Sequence, residues 1–193
     1  MSTAESTYPV TFDIAYPERM SRWLIFVKWL LIIPHLIILY ALMLVAEVLT
    51  FIAWFAILFT SRYPKGMFDF VVGINRWQNN VDAYVLLLRD EYPPFSLSAG
   101  QYPVTFDIEY PEKLSRWLIF VKWLLIIPHL IVILLLGIVY MITLVIAWFA
   151  ILFTGHYPKG MFDFAVGLLR WGARINAYFL LMRDEYPPFS LAP

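Results

Sequence analysis

The chain has 193 residues, of which 62% are apolar and only 15% charged, and its 14 basic residues balance its 14 acidic ones. That composition lies outside the ordinary soluble range and inside the membrane class. The balanced charge, with cations set singly among aromatic residues, excludes a polybasic nucleic-acid surface. With no cysteine there can be no disulfide frame, thiolate metal site or cysteine nucleophile.

Residues 1–7 form a polar tail containing Glu5, without the basic and apolar regions of a secretory signal, so this end is expected to stay cytoplasmic. From Tyr8 onward the chain repeats itself at a constant offset. Residues 8–97 recur as 102–191, with roughly 63 of about 90 aligned positions identical, a level at which duplication decides the architecture. Residues 98–101 are a linker, and 192–193 a short C-terminal end.

Each copy opens on YPVTFDI. Val10, Phe12 and Ile14 alternate with Thr11 and Asp13, which suits a short half-exposed strand or extended arm. Pro17 and Glu18 are expected to open a helix, and Ser21 to Ile33 is helical in character. Pro34 predicts a kink or break, because it lacks the N–H the helical ladder needs and disfavours helical geometry at Ile33. His35 to Thr60 then supplies about 26 helical residues, or about 39 Å, enough for a tilted bilayer crossing. A turn at Tyr63-Pro64-Lys65-Gly66 ends it. Phe68 to Leu88 is amphipathic, the pattern of a helix in the membrane interface or against a partner. Arg89 to Phe95 closes the repeat in extended, polyproline-like geometry.

The apolar block from Trp23 to Phe59 is about 37 residues, nearly enough for two minimal crossings. Its centre, near Tyr40 to Leu42, offers no polar turn. Basic residues flank the block on both sides, which argues against opposite orientations for the two copies. The predicted fold is an all-α membrane protein: a tandem duplicated module, each copy with a Pro-kinked or re-entrant transmembrane helical hairpin, an amphipathic interfacial helix and short extended arms.

The eight tryptophans form four equivalent pairs, Trp23/Trp117, Trp29/Trp123, Trp54/Trp148 and Trp77/Trp171, and are read as interfacial anchors. Lys28 and Lys122 are expected to snorkel to the same level. His35 and His129 could ligate a haem or chlorin between the copies; the blander reading is a side chain bonding a carbonyl freed by the preceding proline. No cofactor is assigned. Glu47, replaced by Met141 in the second copy, is a possible buried functional carboxyl that must be protonated, paired or facing a cavity. The run Arg89-Asp90-Glu91 and its copy Arg183-Asp184-Glu185 are expected to be solvated ion pairs, as are Lys65 with Asp69 and Lys159 with Asp163. Nothing nearby supplies a nucleophile, a metal-ligand spacing or a phosphate loop, so no catalytic constellation is predicted.

The motifs YPVTFDIxYPE, SRWLIFVKWLLIIPH, IAWFAILFT, YPKGMFDF and RDEYPPFSL together resemble a bacterial membrane family, domain of unknown function 4389, over almost the whole chain as two tandem copies. The resemblance implies the bacterial inner (cytoplasmic) membrane and carries no activity. The expected role is a non-enzymatic, homo-oligomeric scaffold that orders or bends the bilayer. Alternatives are an accessory subunit of a larger energy-transducing membrane complex, meeting other membrane-protein subunits, and a small channel or transporter.

Overall fold

The computed structural model describes residues 8–193, and the cytoplasmic tail expected at 1–7 lies outside the described residues. The opening arm of each copy forms a five-residue strand, β1 (Val10–Ile14) and β2 (Val104–Ile108). Val10, Phe12 and Ile14 are buried while Thr11 and Asp13 are exposed, as the alternation predicts. The two strands pair antiparallel, Val10 opposite Ile108, Phe12 opposite Phe106 and Ile14 opposite Val104. Phe106 is the copy of Phe12, so the ladder carries a local two-fold axis at its centre. A two-fold rotation leaves direction along its axis unchanged, and the two copies therefore face the same way along it.

The helix expected to open at Pro17 does not form. Residues 15–20 run as irregular chain to the other copy, where the Met20 N–H donates to the Gly155 carbonyl (2.9 Å) and the Leu114 N–H to the Ser61 carbonyl (2.8 Å). Ser61 and Gly155 end the two long helices in left-handed geometry, with φ of 59° and 74°. That conformation stops a helix and turns its last carbonyl outward, and the crossing chain takes the freed acceptor.

Ser21 to Ile33 is helical only in pieces: one 3-10 turn at Leu24–Phe26, then α1 (Lys28–Leu31). The following helix, α2 (Ile33–Thr60), has 28 residues and no interruption. Pro34 lies in its first turn, where the missing N–H has no intrahelical partner to lose, and the break expected there falls at Ile32, between α1 and α2. Beyond Pro34 the apolar block runs on as one helix with no bend, because no later residue disfavours helix strongly enough to break it. The helical hairpin forms between α2 and α3 (Lys65–Val85). Lys65 and Gly66 belong to the first turn of α3 and not to a connecting turn. The second copy repeats this as α4 (Lys122–Leu125), α5 (Ile127–Thr154) and α6 (Lys159–Phe179).

The amphipathic helix is internal, which corrects the interfacial reading. Trp77, Val81 and Tyr84 of α3 pack on Ile32 and Leu39, while Phe68, Val71 and Val72 join the main core with the strand residues and with Ala46, Ala53 and Ile57. Gly73 lets residue 97 cross over α3: a Cβ there would lie 2.9 Å from the Leu97 Cβ.

Along α2 the protein covers only a narrow seam. His35, Leu39, Ala46, Ala53 and Ile57 are buried, with Leu42 and Leu49 half-buried between them, the three-to-four spacing of a coiled-coil contact. The rest of the helix is exposed and apolar, including Ile37, Tyr40, Leu44, Val48, Phe51 and Phe59. Only 17% of the most apolar stretch of α2, and 11% of that of α5, is buried.

Candidate functional site

The four tryptophan pairs divide by environment. Trp23 and Trp117 are 77% and 80% exposed, and Trp29 and Trp123 are also exposed, each donating its indole N–H to a nearby carbonyl, Phe26 and Phe120 (2.7 Å). Trp54 and Trp148 are half-buried against Phe120 and Phe26 of the opposite copy, with ring centroids 5.0 and 5.2 Å apart. Trp77 and Trp171 are buried, so the anchoring role expected of them gives way to an internal one.

That role is to hold the histidines. The Trp77 indole N–H donates to Nδ1 of His35 at 2.9 Å, and Trp171 donates to His129 at 3.1 Å. Phe95 stacks on His35 at 3.8 Å and 12°, and Phe189 on His129 at 3.8 Å and 13°. Tyr92 closes the box edge-on, its hydroxyl donating to the Leu31 carbonyl at 3.0 Å. Since Nδ1 accepts a proton donor, a neutral ring carries its own hydrogen on Nε2. Neither nitrogen then offers a free lone pair, and both rings are fully buried. The arrangement clamps the closing segment of each copy onto the start of its long helix. The partner is an indole and not the proline-freed carbonyl of the blander expectation.

Lys28 and Lys122 do not snorkel. Each is 1% exposed. Lys28 pairs with Asp90 at 2.8 Å, donates to the Arg89 carbonyl at 2.6 Å and lies over the Tyr84 ring; Lys122 repeats this with Asp184, Arg183 and Tyr178. A buried ammonium needs a paired carboxylate and filled donor positions, and the Arg-Asp-Glu run supplies them. Asp90 thus turns inward, while Arg89 pairs with Glu91 at the surface and holds its carboxyl below the usual range. Lys65 with Asp69 and Lys159 with Asp163 pair as expected, exposed, at 2.9 and 2.7 Å.

Two arginines escaped the sequence reading. Arg170 reaches across the two-fold to the Phe12 carbonyl (2.8 Å) and Asp13 (2.9 Å), and also holds the Leu191 carbonyl (2.9 Å). Arg76 makes the reciprocal set with Phe106, Asp107 and Leu97. The signal was present as a cation on the helix face opposite the apolar stripe, matched by an aspartate in the arm.

Glu47 is neither buried nor paired: among the described residues its side chain makes no hydrogen bond or ion pair. It lies on the exposed flank of α2 in an open groove of about 530 Å³ between the copies. Phe51, Trp54 and Phe55 continue the α2 wall, and Trp123 and Phe179 form the opposite one, with Lys122 beneath. The two-fold generates a twin of about 320 Å³, where Val145, Trp148, Trp29 and Val85 take the corresponding places and Leu144 replaces Thr50. The Glu47 counterpart, Met141, does not line the twin. The duplication is therefore asymmetric at this groove.

A family model described as a domain of unknown function, DUF4389, matches residues 22–96 and again 116–190. No curated protein and no solved structure matches the chain.

Proposed function

We propose, for a chain that belongs to the DUF4389 family as two tandem copies, that its work is done by its apolar surface: it is a non-enzymatic membrane protein that orders or deforms the bilayer as an oligomer. The observation carrying this reading is the exposure of α2 and α5. A water-soluble protein rarely leaves contiguous apolar patches beyond a few hundred Å², yet here two 28-residue helices keep most of their circumference uncovered. Lipid removes that cost. The exposed Trp23, Trp29, Trp117 and Trp123 suit the headgroup level, and the charged arms suit water. Because the two-fold gives both copies one orientation, the helices present like faces to the bilayer, and neighbouring chains can pack through them.

Blue-native sizing and negative-stain imaging of protein reconstituted into vesicles test this. Oligomers with altered vesicle shape are expected. A uniform monomer in undeformed vesicles overturns the scaffold reading, and failure to float with vesicles overturns membrane residence itself.

A further inference from the structure

We infer that the Glu47 groove binds a hydrophobic ammonium: a single cationic nitrogen carried on an apolar tail.

Three features of the groove converge on that chemistry. Its walls are aromatic, with Phe51, Trp54, Phe55, Trp123 and Phe179 around the opening, and aromatic faces attract desolvated cations, ammonium groups above all. Its one uncompensated charge is negative, because the Lys122 ammonium is already neutralised by Asp184 at 2.8 Å while Glu47 has no partner among the described residues. The carboxylate is exposed on the helix flank and not folded into the seam, so a ligand can reach it without moving α2. A carboxylate beside an aromatic cage, in an otherwise apolar groove, attracts a cation and accepts its tail. It repels an anion and gains nothing specific from a neutral amphiphile.

The twin groove is an internal control. It shares the fold, the buried lysine and two of the tryptophans, but has no carboxylate and carries Val145 and Val85 where the first has Phe51 and Phe179. The chain thus holds one cation-selective groove and one that is only apolar. This deepens the membrane reading, since the groove opens on the flank of a helix assigned to lipid.

The test uses the full chain in vesicles of an uncharged-headgroup lipid, with energy transfer from tryptophan to trimethylammonium-diphenylhexatriene read against untagged diphenylhexatriene. Flotation of the same vesicles is read separately, so loss of membrane residence is distinguished from loss of the site. Saturable transfer to the tagged dye at one site per chain is expected, with unsaturable partition of the untagged dye. Glu47→Gln should weaken tagged-dye binding at least tenfold, and Met43→Glu, on the same helix outside this groove, should leave it unchanged. Competition by dodecylamine supports the proposal. Competition by an ethanolamine phospholipid alone assigns the groove to a zwitterionic headgroup and overturns it. Equal binding of both dyes, or unchanged affinity in Glu47→Gln, also overturns it, as does a changed oligomer size in Glu47→Gln without dye binding, which would give the groove to a neighbouring helix.

Discussion

Phe12 lies opposite Phe106 in the antiparallel ladder, each residue paired with its own copy. Most of the bonds joining the two halves follow that rule of exchange, the Asn176 to Asn75 side-chain bond being one that does not. Tyr8 donates its hydroxyl to the Glu185 carbonyl and Tyr102 to that of Glu91. Met20 meets Gly155, and Leu114 meets Ser61. The arms are traded between copies, and the trade fixes their relative orientation.

Arg76 and Arg170 lock the exchange from either side of the two-fold. Arg170→Ala leaves the Phe12 and Leu191 carbonyls without their donor, the exposed Asp13 carboxylate being free to solvate, and should cost about 1.5 to 3 kcal/mol, the range for a hydrogen bond involving a charged group. Arg170→Lys should recover little, since one ammonium cannot span three acceptors held by a fork. Thermal unfolding in detergent, followed by near-ultraviolet circular dichroism, measures both. A lysine variant as stable as the parent would refute the fork geometry.

The histidine boxes predict a second result. Trp77→Phe removes the donor to His35 and part of the packing on Leu39, and should lower stability by about 2 to 4 kcal/mol. His35→Phe in the Trp77→Phe background should cost little more, because each change breaks the same bond. Strictly additive losses in that double-mutant cycle would mean the indole and the imidazole are not coupled.

Asp82 gives a pH dependence. It accepts a hydrogen bond from Gln78 at 2.7 Å, lies half-buried at the seam between α3 and α6, and is pushed up by burial from 3.8 to about 6. An acid whose folded pKa exceeds its unfolded one binds its proton more tightly in the folded state. Its stabilising contribution is thus complete below about pH 4 and lost as pH rises through about 6. Relative to Asp82→Asn, which copies Asn176 of the second repeat, the parent should lose about 1 to 3 kcal/mol over that interval at 1.36 kcal/mol per pKa unit. Parallel stability curves for the two proteins would show that Asp82 does not titrate there.

Glycine replacement should separate backbone crossings from open positions. Gly167→Ala places a methyl 2.8 Å from the Leu191 Cβ and 2.9 Å from its carbonyl oxygen; at Gly73 the backbone oxygen is farther, at 3.3 Å. Gly66→Ala meets nothing within 4 Å and should be neutral or slightly stabilising through helix propensity. The expected order of stability is Gly66→Ala, then Gly73→Ala, then Gly167→Ala, and a neutral Gly167→Ala would show that the closing segment is free to shift.

The exchanged arms predict a topology result. Single cysteines at Thr11 and Thr105, both exposed on the paired strands, should react with a membrane-impermeant maleimide from the same side of sealed vesicles. Opposite accessibility would contradict the strand pairing.

Much of this was legible in the sequence, and the misses share one cause. Periodicity placed the strand, the long helix and the amphipathic helix within a few residues, because alternation and helical spacing are local properties. It could not say what each face meets. Trp77 in an apolar stripe is written the same way whether its indole meets headgroups or His35, and Lys28 in an apolar run reads the same whether its ammonium escapes to water or finds Asp90. Pro34 marks a break, since α1 ends at Leu31 and α2 starts at Ile33, but the sequence did not show that the proline belongs to the first turn of the second helix. Glu47 was recognised as unusual, but its surroundings come from Trp123 and Phe179, more than seventy residues away.

A dimer of identical chains must accept every substitution twice, once on each side of its axis. Here the two sides are written separately in one polypeptide and held at high effective concentration by a four-residue link, at residues 98–101. A change can therefore be kept on one side and avoided on the other, as with Glu47 and Met141, Asp82 and Asn176, or Asn80 and Arg174. The self-paired strand holds the geometry of a two-fold pair while releasing its halves from the obligation to remain alike.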